Sequence, residues 1–269
     1  ITEWLPISST GHMILAEQVL KFSFSDAFME MFRVVIQLGA ILAVVVLYFK
    51  KLWPFCGDNG RDTGFAKHFR WPVIKLWCKI IVACLPAAVL GLLLDDWMDA
   101  HFYNSVVVAV MLIVYGIAFI LVERRPRVAT TTKLSRITYK QALIIGIWQV
   151  LALIPGTSRS GATILGGLLC GLSRAAASQF TFFLAIPVMA GASGLKLVKF
   201  LAKGGVFAAP ELAALLVGCV VAFVVSLLAI RFLMDYVKKH TFTAFGWYRI
   251  ALGIVVLGIW ALQSYVMPI

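Results

Sequence analysis

A long apolar run at residues 141–171 is interrupted by the polar stretch Pro155-Gly156-Thr157-Ser158-Arg159-Ser160-Gly161-Ala162-Thr163. Proline followed by glycine, serine and threonine cannot continue an ordinary helix through hydrocarbon. Irregular backbone at membrane depth is tolerated only where it is buried in protein or lines a wet cavity. In a membrane protein, this stretch therefore predicts a re-entrant hairpin or a broken helix.

The composition places the chain in a membrane. Of its 269 residues, 62% are hydrophobic and 13% are charged, whereas soluble domains have roughly 45–50% apolar and about 25% charged residues. The net charge is +12, and the basic residues form short clusters between apolar runs. That pattern is typical of loops that contact the headgroups of membrane lipid and argues against nucleic-acid binding.

Six apolar segments approach the roughly 20 residues that a spanning helix needs. They lie at residues 32–49, 80–94, 102–122, 175–195, 212–230 and 250–269. We therefore predict an all-α membrane protein with about six transmembrane helices, forming a single integral membrane domain over residues 1–269. The sequence begins at Ile1, within a motif, and we expect that residues precede it.

A second polar break lies near the start, where residues 1–20 are interrupted by Pro6-Ile7-Ser8-Ser9-Thr10-Gly11-His12. Residues 8–14 align with residues 158–164, glycine on glycine and isoleucine on isoleucine, and three spans follow each break. We interpret this as an inverted-topology repeat, with residues 1–140 as the first half and 141–269 as the second. The two re-entrant hairpins would then meet near the midplane.

Loop charges predict the orientation. Basic residues cluster around residues 50–79, 123–140 and 231–240, which indicates the cytoplasmic side. The connection 95–101 carries three aspartates and no lysine or arginine, which indicates the outside. The first hairpin would then enter from outside and the second from the cytoplasm, although Lys196, Lys199 and Lys203 flank a loop placed outside.

The two tips would bring together ionisable and hydroxyl groups at membrane depth, where such groups are costly and functional by default. The first offers Glu3, Ser8, Ser9, Thr10 and His12, and the second offers Ser158, Arg159, Ser160 and Thr163. Gly11 and Gly161 each precede a helical segment, whose free N–H groups would add to an anion site. Arginine suits phosphate oxygens.

These residues suffice for phosphoryl transfer to water. Ser9 or His12 could attack phosphorus, and the sequence does not choose between them. Glu3 could act as a base or hold a divalent ion, and Arg159 could stabilise the equatorial oxygens. Each feature also has a structural alternative, because such breaks can be helix-packing seams and His12 could be a packed neutral histidine. Arg249, near one end of the last span, is expected to snorkel.

Both motifs resemble those of a known family. The sequences Ile1-Thr2-Glu3-Trp4-Leu5-Pro6-Ile7-Ser8-Ser9-Thr10-Gly11-His12 and Gln149-Val150-Leu151-Ala152-Leu153-Ile154 continuing into Pro155–Thr163 are similar to the two signatures of the bacterial undecaprenyl-diphosphate phosphatase family of the bacitracin-resistance type. The resemblance covers nearly the whole chain, including Val35-Ile36-Gln37-Leu38-Gly39.

The resemblance implies removal of the terminal phosphate from undecaprenyl diphosphate in the bacterial inner (plasma) membrane, with a divalent cation, Mg²⁺ or Ca²⁺. It implies catalytic roles for Glu3, Ser9, His12 and Arg159, with Glu3 at the metal. It places Ser8, Thr10, Ser158, Ser160 and Thr163 around the phosphate. The family also has an acidic or amide residue four positions before the matched glutamate, which this sequence starts too late to contain. A homodimer is allowed.

A transporter or flippase for an anionic lipid or solute is the alternative function, because inverted repeats with broken helices at the midplane are typical of transporters. The residues around the hydroxyl groups favour an enzyme. A transporter needs a site that binds and releases, whereas a phosphatase also needs a nucleophile and a general acid or base, which Ser9, His12 and Glu3 provide.

Overall fold

Helices dominate the computed structural model, which describes residues 1–19, 24–56, 68–125 and 128–266. The described helices are α1 (Ser9–Val19), α2 (Asp26–Val35), α3 (Gln37–Leu52), α4 (Trp71–Phe102), α5 (Ser105–Arg124), α6 (Tyr139–Val150), α7 (Arg159–Leu169), α8 (Arg174–Ala202), α9 (Ala209–Lys239) and α10 (Thr243–Val266). Within these ranges the structure contains no strand, only two isolated β-bridges, which confirms the predicted all-α class.

Six helical segments are long and apolar enough to cross a membrane, as the sequence predicts. They are Ala27–Leu52, Trp71–Leu94, Ser105–Arg124, Arg174–Ala202, Ala209–Lys239 and Thr243–Ser264. Large apolar side chains on their outer surfaces are exposed; for example, Leu93 is 73% exposed and Leu228 is 64% exposed. A surface of this kind requires lipid rather than water as its solvent. The chain is therefore a multi-pass membrane protein.

The second span differs from its predicted form. Residues 80–94 are short for a span, and the helix obtains its length by starting at Trp71, with Pro86 accommodated inside it. The span ends at Leu94, as predicted, but the connection at 95–101 is helical, because α4 continues to Phe102. No proline or glycine lies between Gly91 and Phe102 to stop it. The predicted orientation rests in part on three basic residues that lie outside the described residues: Arg61, Lys67 and Arg127.

The segment α6–α7 is re-entrant, since it enters and leaves on the same face. The Gln141 side chain at the start of α6 donates to the carbonyl of Cys170, just after α7, at 3.0 Å, and to Thr131 Oγ1 at 3.1 Å. Between the helices, a 3-10 turn at Leu151–Leu153 leads into the tip. Helix α7 is buried continuously from Ser160 to Leu168, so the predicted second hairpin lies inside the protein.

The helices that follow the two breaks, α1 and α7, lead to opposite faces of the protein. Helix α7 leads to the face where α5 and α9 end, because Glu123 near the end of α5 pairs with Arg174 at the start of α8. Helix α1 leads to the other face, where Glu30 near the start of α2 pairs with Lys196 in the last turns of α8 at 2.6 Å. We call the first of these the basic face, since it carries the basic loops.

Helices α5 and α10 cross at backbone contact through glycines. A Cβ atom added to Gly246 would lie 2.8 Å from the carbonyl oxygen of Gly116, and one added to Gly116 would lie 2.7 Å from that of Gly246. Small residues permit such approach in membrane helices. This seam fixes α10, whose Tyr248 and Arg249 contact the site described below.

We expect Gly246→Val to destabilise the protein, because the added atoms must displace the α5 backbone; overpacking of this kind costs about 1–3 kcal/mol. Thermal unfolding in detergent measures the effect as a lower midpoint. Gly258→Val is the matched control in the same helix, since a Cβ there would meet nothing within 4 Å. Equal midpoints for the two variants would contradict the close crossing.

Candidate active site

The tips of the two polar breaks meet, as the sequence predicts. Arg159 Nη2 donates to Glu3 Oε1 at 2.9 Å, and the two side chains are 14% and 21% exposed. The Ser160 hydroxyl donates to the carbonyl of Leu5 at 3.4 Å. Residues 156 positions apart in the sequence thus meet in one partly buried polar site.

The backbone has the same unusual conformation at both tips. Ser8 has φ 68° and Ser158 has φ 69°, and within the described residues no other non-glycine residue has positive φ. Left-handed backbone at a residue with a side chain is strained and is found preferentially at functional sites. The two serines occupy aligned positions in the sequence motifs, immediately before α1 and the helix α7.

Several buried polar atoms at the tips lack a partner among the described residues. Arg159 uses one of its nitrogens on Glu3, whereas Nε and Nη1 are buried without a hydrogen bond. The hydroxyls of Ser8 and Thr157 are also buried without a hydrogen bond to the described residues. Buried donors are almost always satisfied in proteins, so this group of donors is suited to an anionic ligand rich in acceptor oxygens.

The serine and threonine side chains at the second tip make different contacts, and some of them stabilise the start of α7. Ser158 Oγ accepts the N–H of Gly161 at 3.2 Å and so caps α7, and it lies 3.2 Å from Ser160 Oγ. Thr163 is 1% exposed; it donates to the Arg159 carbonyl at 2.9 Å and accepts from Thr181 at 2.9 Å. The Thr163 contacts therefore hold the first turn of α7. At the first tip, Ser9 and Thr10 are half-buried.

The two glycines lie inside their helices rather than before them, which corrects the expected position. Gly11 is the third residue of α1 and Gly161 the third of α7. The N–H of Gly161 is not free, because Ser158 caps it. A Cβ on Gly11 would lie 2.9 Å from Leu112 Cδ1. Gly11 therefore allows α1 to pack closely against α5, which the motif alone did not indicate.

His12 is fixed through both ring nitrogens. Nδ1 lies 2.7 Å from the carbonyl oxygen of Ser8, and Nε2 lies 2.7 Å from the hydroxyl of Tyr248 on α10. A carbonyl only accepts, so Nδ1 carries a hydrogen, and Nε2 of the neutral ring is the acceptor that faces Tyr248. His12 is thus an oriented imidazole at the first tip. Sequence reasoning missed Tyr248, which lies in an ordinary amphipathic stretch.

Arg249 was expected to snorkel, and this prediction is wrong. Its side chain is fully buried and donates to backbone carbonyls of both tips. Nη1 bonds Pro6 O at 3.2 Å, and Nη2 bonds Gly156 O and Thr157 O, each at 2.9 Å. Further bonds reach the carbonyls of Met111 and Leu112. Arg249 therefore joins the two tips to α5.

Arg249 also contributes positive charge to the site. No carboxylate pairs with it in the described part of the chain, and its guanidinium lies 5.5 Å from the Tyr115 ring. A Cβ on Gly161 would lie 3.3 Å from Nη1 of Arg249. An uncompensated buried cation directly beneath the first turn of α7 favours a negatively charged ligand there.

Glu3 is the carboxylate at the tips that could serve as one ligand of a divalent cation. The described residues contain no cluster of three histidine, cysteine or acidic side chains, so they do not form a complete protein cage. Glu3 uses Oε1 on Arg159, which leaves Oε2 for a metal. Mg²⁺ is usually bound by one or two carboxylates together with substrate phosphates and water, and one carboxylate beside an anion site meets that requirement.

Comparison with known proteins gives a consistent family. The sequence profile of the family "Bacitracin resistance protein BacA" matches residues 1–255. An undecaprenyl-diphosphatase of Enterococcus faecalis is 59% identical over 262 residues, covering 97% of this chain and 93% of that protein. One of Desulfitobacterium hafniense is 60% identical over 263 residues, covering 96% and 90%. The chain belongs to the bacitracin resistance protein BacA family.

Proposed function

We propose that this chain hydrolyses undecaprenyl diphosphate to undecaprenyl phosphate and inorganic phosphate. The reaction recycles the lipid carrier for peptidoglycan synthesis in the plasma membrane and confers bacitracin resistance. The observation that carries the proposal is the contact between Glu3 and Arg159, which joins the two tips and leaves buried guanidinium donors for phosphate oxygens. The names of the similar proteins agree with this activity.

Arg159 binds the terminal phosphate. Its planar donors match two phosphate oxygens, and the charge that develops on the equatorial oxygens during transfer is stabilised by the same nitrogens. The N-terminus of α7 lies at the same point, so the positive end of its dipole is directed to the anion. The Ser8 hydroxyl, buried and without a partner, supplies a further hydrogen bond.

His12 and Ser9 carry out the chemical step at the first tip. The half-buried Ser9 hydroxyl or a water attacks the terminal phosphorus, while the bond to the bridging oxygen breaks and undecaprenyl phosphate leaves. After attack by Ser9, a water then hydrolyses the phosphoserine, which releases inorganic phosphate and restores the hydroxyl. His12 takes up the proton of the attacking group at Nε2, since Nδ1 is held by the Ser8 carbonyl. In this arrangement the fixed ring serves as general base first and as acid afterwards.

Glu3 orients Arg159 and would hold the divalent cation, Mg²⁺ or Ca²⁺. A cation bound there would supply positive charge against the diphosphate oxygens and so favour departure of the lipid phosphate. Glu3 Oε1 keeps the guanidinium of Arg159 in place, and Oε2 is the oxygen available to the metal. The single carboxylate fits a metal that arrives together with the diphosphate.

Phosphate release by the purified protein in detergent tests the function. Detergent abolishes vectorial transport but leaves hydrolysis intact, so release of inorganic phosphate from undecaprenyl diphosphate supports an enzyme. A flippase or transporter remains the second candidate, because the two breaks open to opposite faces of the protein. Absence of release in the presence of Mg²⁺ or Ca²⁺, with transport in sealed vesicles, would favour that candidate.

We expect the site to open to the face opposite the basic face, which we propose to be the outside. The first tip, with Glu3, Ser9 and His12, is continuous with α1 and that face. The measurement is labelling of Ser9→Cys by a membrane-impermeant thiol reagent in vesicles of known sidedness, after replacement of the five native cysteines. Ser9 is the suitable probe, because Ser8 is only 1% exposed.

Protection of that thiol by undecaprenyl diphosphate would show that the label reports the substrate site. Labelling only from the cytoplasmic side would reverse the proposed orientation.

A further inference from the structure

We propose that Tyr248 carries the proton to and from His12 during phosphate cleavage, an inference that rests on the phosphatase function proposed above. The residue lies on α10, far from both sequence motifs. Its hydroxyl lies 2.7 Å from His12 Nε2, and the two ring planes are nearly parallel, at 9°.

The two ring nitrogens of His12 have different partners. The Ser8 carbonyl accepts from His12 Nδ1 at 2.7 Å, so Nδ1 stays protonated in both the neutral and the charged ring. Nε2 is therefore the nitrogen that gains and loses a proton, and the catalytic proton must reach that atom.

The Tyr248 hydroxyl lies directly in front of His12 Nε2. A neutral imidazole offers one lone pair there, and the Tyr248 hydroxyl occupies it as a donor. In the charged ring, Nε2–H donates and the Tyr248 oxygen accepts. The same 2.7 Å contact thus serves both protonation states with only a rotation of the hydroxyl hydrogen, and a proton that reaches Nε2 passes through Tyr248.

The relay is balanced in atoms and charge. The attacking hydroxyl or water gives its proton to the Tyr248 oxygen as its own oxygen bonds to phosphorus, and Tyr248 gives its original proton to His12 Nε2. After cleavage the transfers run in reverse, and the proton leaves to a phosphate oxygen or to water. Tyr248 is 46% exposed and its contact with His12 lies at the surface of the protein, so protein atoms do not enclose the side chain.

The helix carrying Tyr248 is fixed for this task. Its neighbour Arg249 bonds the carbonyls of Pro6 and Gly156, and the α5–α10 seam holds the backbone through Gly246. The hydroxyl is therefore presented to His12 by a rigid element, as expected of a group that transfers protons over a short, defined distance.

The test is Tyr248→Phe, which keeps the ring and removes only the hydroxyl. We expect kcat for phosphate release to fall by about 10²-fold, in line with the loss of acid–base assistance, with KM little changed. Imidazole added to the assay should restore kcat in proportion to its concentration, because a small proton carrier replaces the missing hydroxyl. Tyr139→Phe is the matched control, since Tyr139 is 49% exposed at the start of α6.

Four results separate the possibilities. Wild-type kcat in Tyr248→Phe, or a lowered kcat that imidazole does not restore, would overturn the relay, and the second would mean that the Tyr248 hydroxyl only positions the His12 ring. Concentration-dependent rescue restricted to Tyr248→Phe supports it. Failure of the wild-type protein to release phosphate would instead count against the phosphatase function itself.

Discussion

Arg159→Lys is expected to lower kcat for phosphate release by about 10²–10³-fold, the usual loss when one transition-state contact is removed. Lysine keeps the positive charge but lacks the planar fork that matches two phosphate oxygens. In the structure, one nitrogen of Arg159 holds Glu3, while Nε and Nη1 are buried and available. Lysine has its three donors on one nitrogen, so it cannot hold Glu3 and also present a planar fork to phosphate.

The measurement is kcat and KM with undecaprenyl diphosphate in detergent, together with a thermal unfolding midpoint. Arg125→Lys is the matched control, because Arg125 is exposed at the end of α5, away from the tips. A folded Arg159→Lys variant with near-normal turnover would mean that Arg159 acts only as a point charge or as a structural partner of Glu3.

Arg249→Met is expected to have the largest effect on stability. Methionine approximates the aliphatic length of arginine but removes the donors that satisfy carbonyls of Pro6, Gly156 and Thr157. Leaving buried carbonyls unsatisfied costs about 1–3 kcal/mol for each group. We expect a clearly lower unfolding midpoint and loss of most activity, because the two tips lose their common anchor.

A suitable comparison is Arg231→Met, since Arg231 is exposed on α9 and the chemical change is identical. Arg249→Lys separates charge from geometry: lysine retains the buried cation yet has three donors at one point, so it should recover only part of the stability. If Arg249→Met unfolds at the wild-type temperature and retains turnover, the carbonyl bonds do not hold the tips.

The class, the six spans and the two polar breaks were predictable from the sequence, because hydrocarbon imposes local rules. A spanning helix needs about 20 apolar residues, and polar residues with proline and glycine stand out against that background. The juxtaposition of Glu3 with Arg159 was also predictable, since neither charge is stable alone at membrane depth. The end of α4 was not, because a helix that leaves the membrane changes composition without changing conformation.

The tertiary structure decided which residues hold the site together. Arg249 binds five backbone carbonyls, and every residue carries a carbonyl, so its partners leave no pattern in the sequence. Tyr248 meets His12 across more than two hundred residues, and only the α5–α10 crossing brings them together. Local composition therefore determined the membrane fold and the chemical groups available, whereas long-range backbone hydrogen bonding decided how those groups are fixed and oriented.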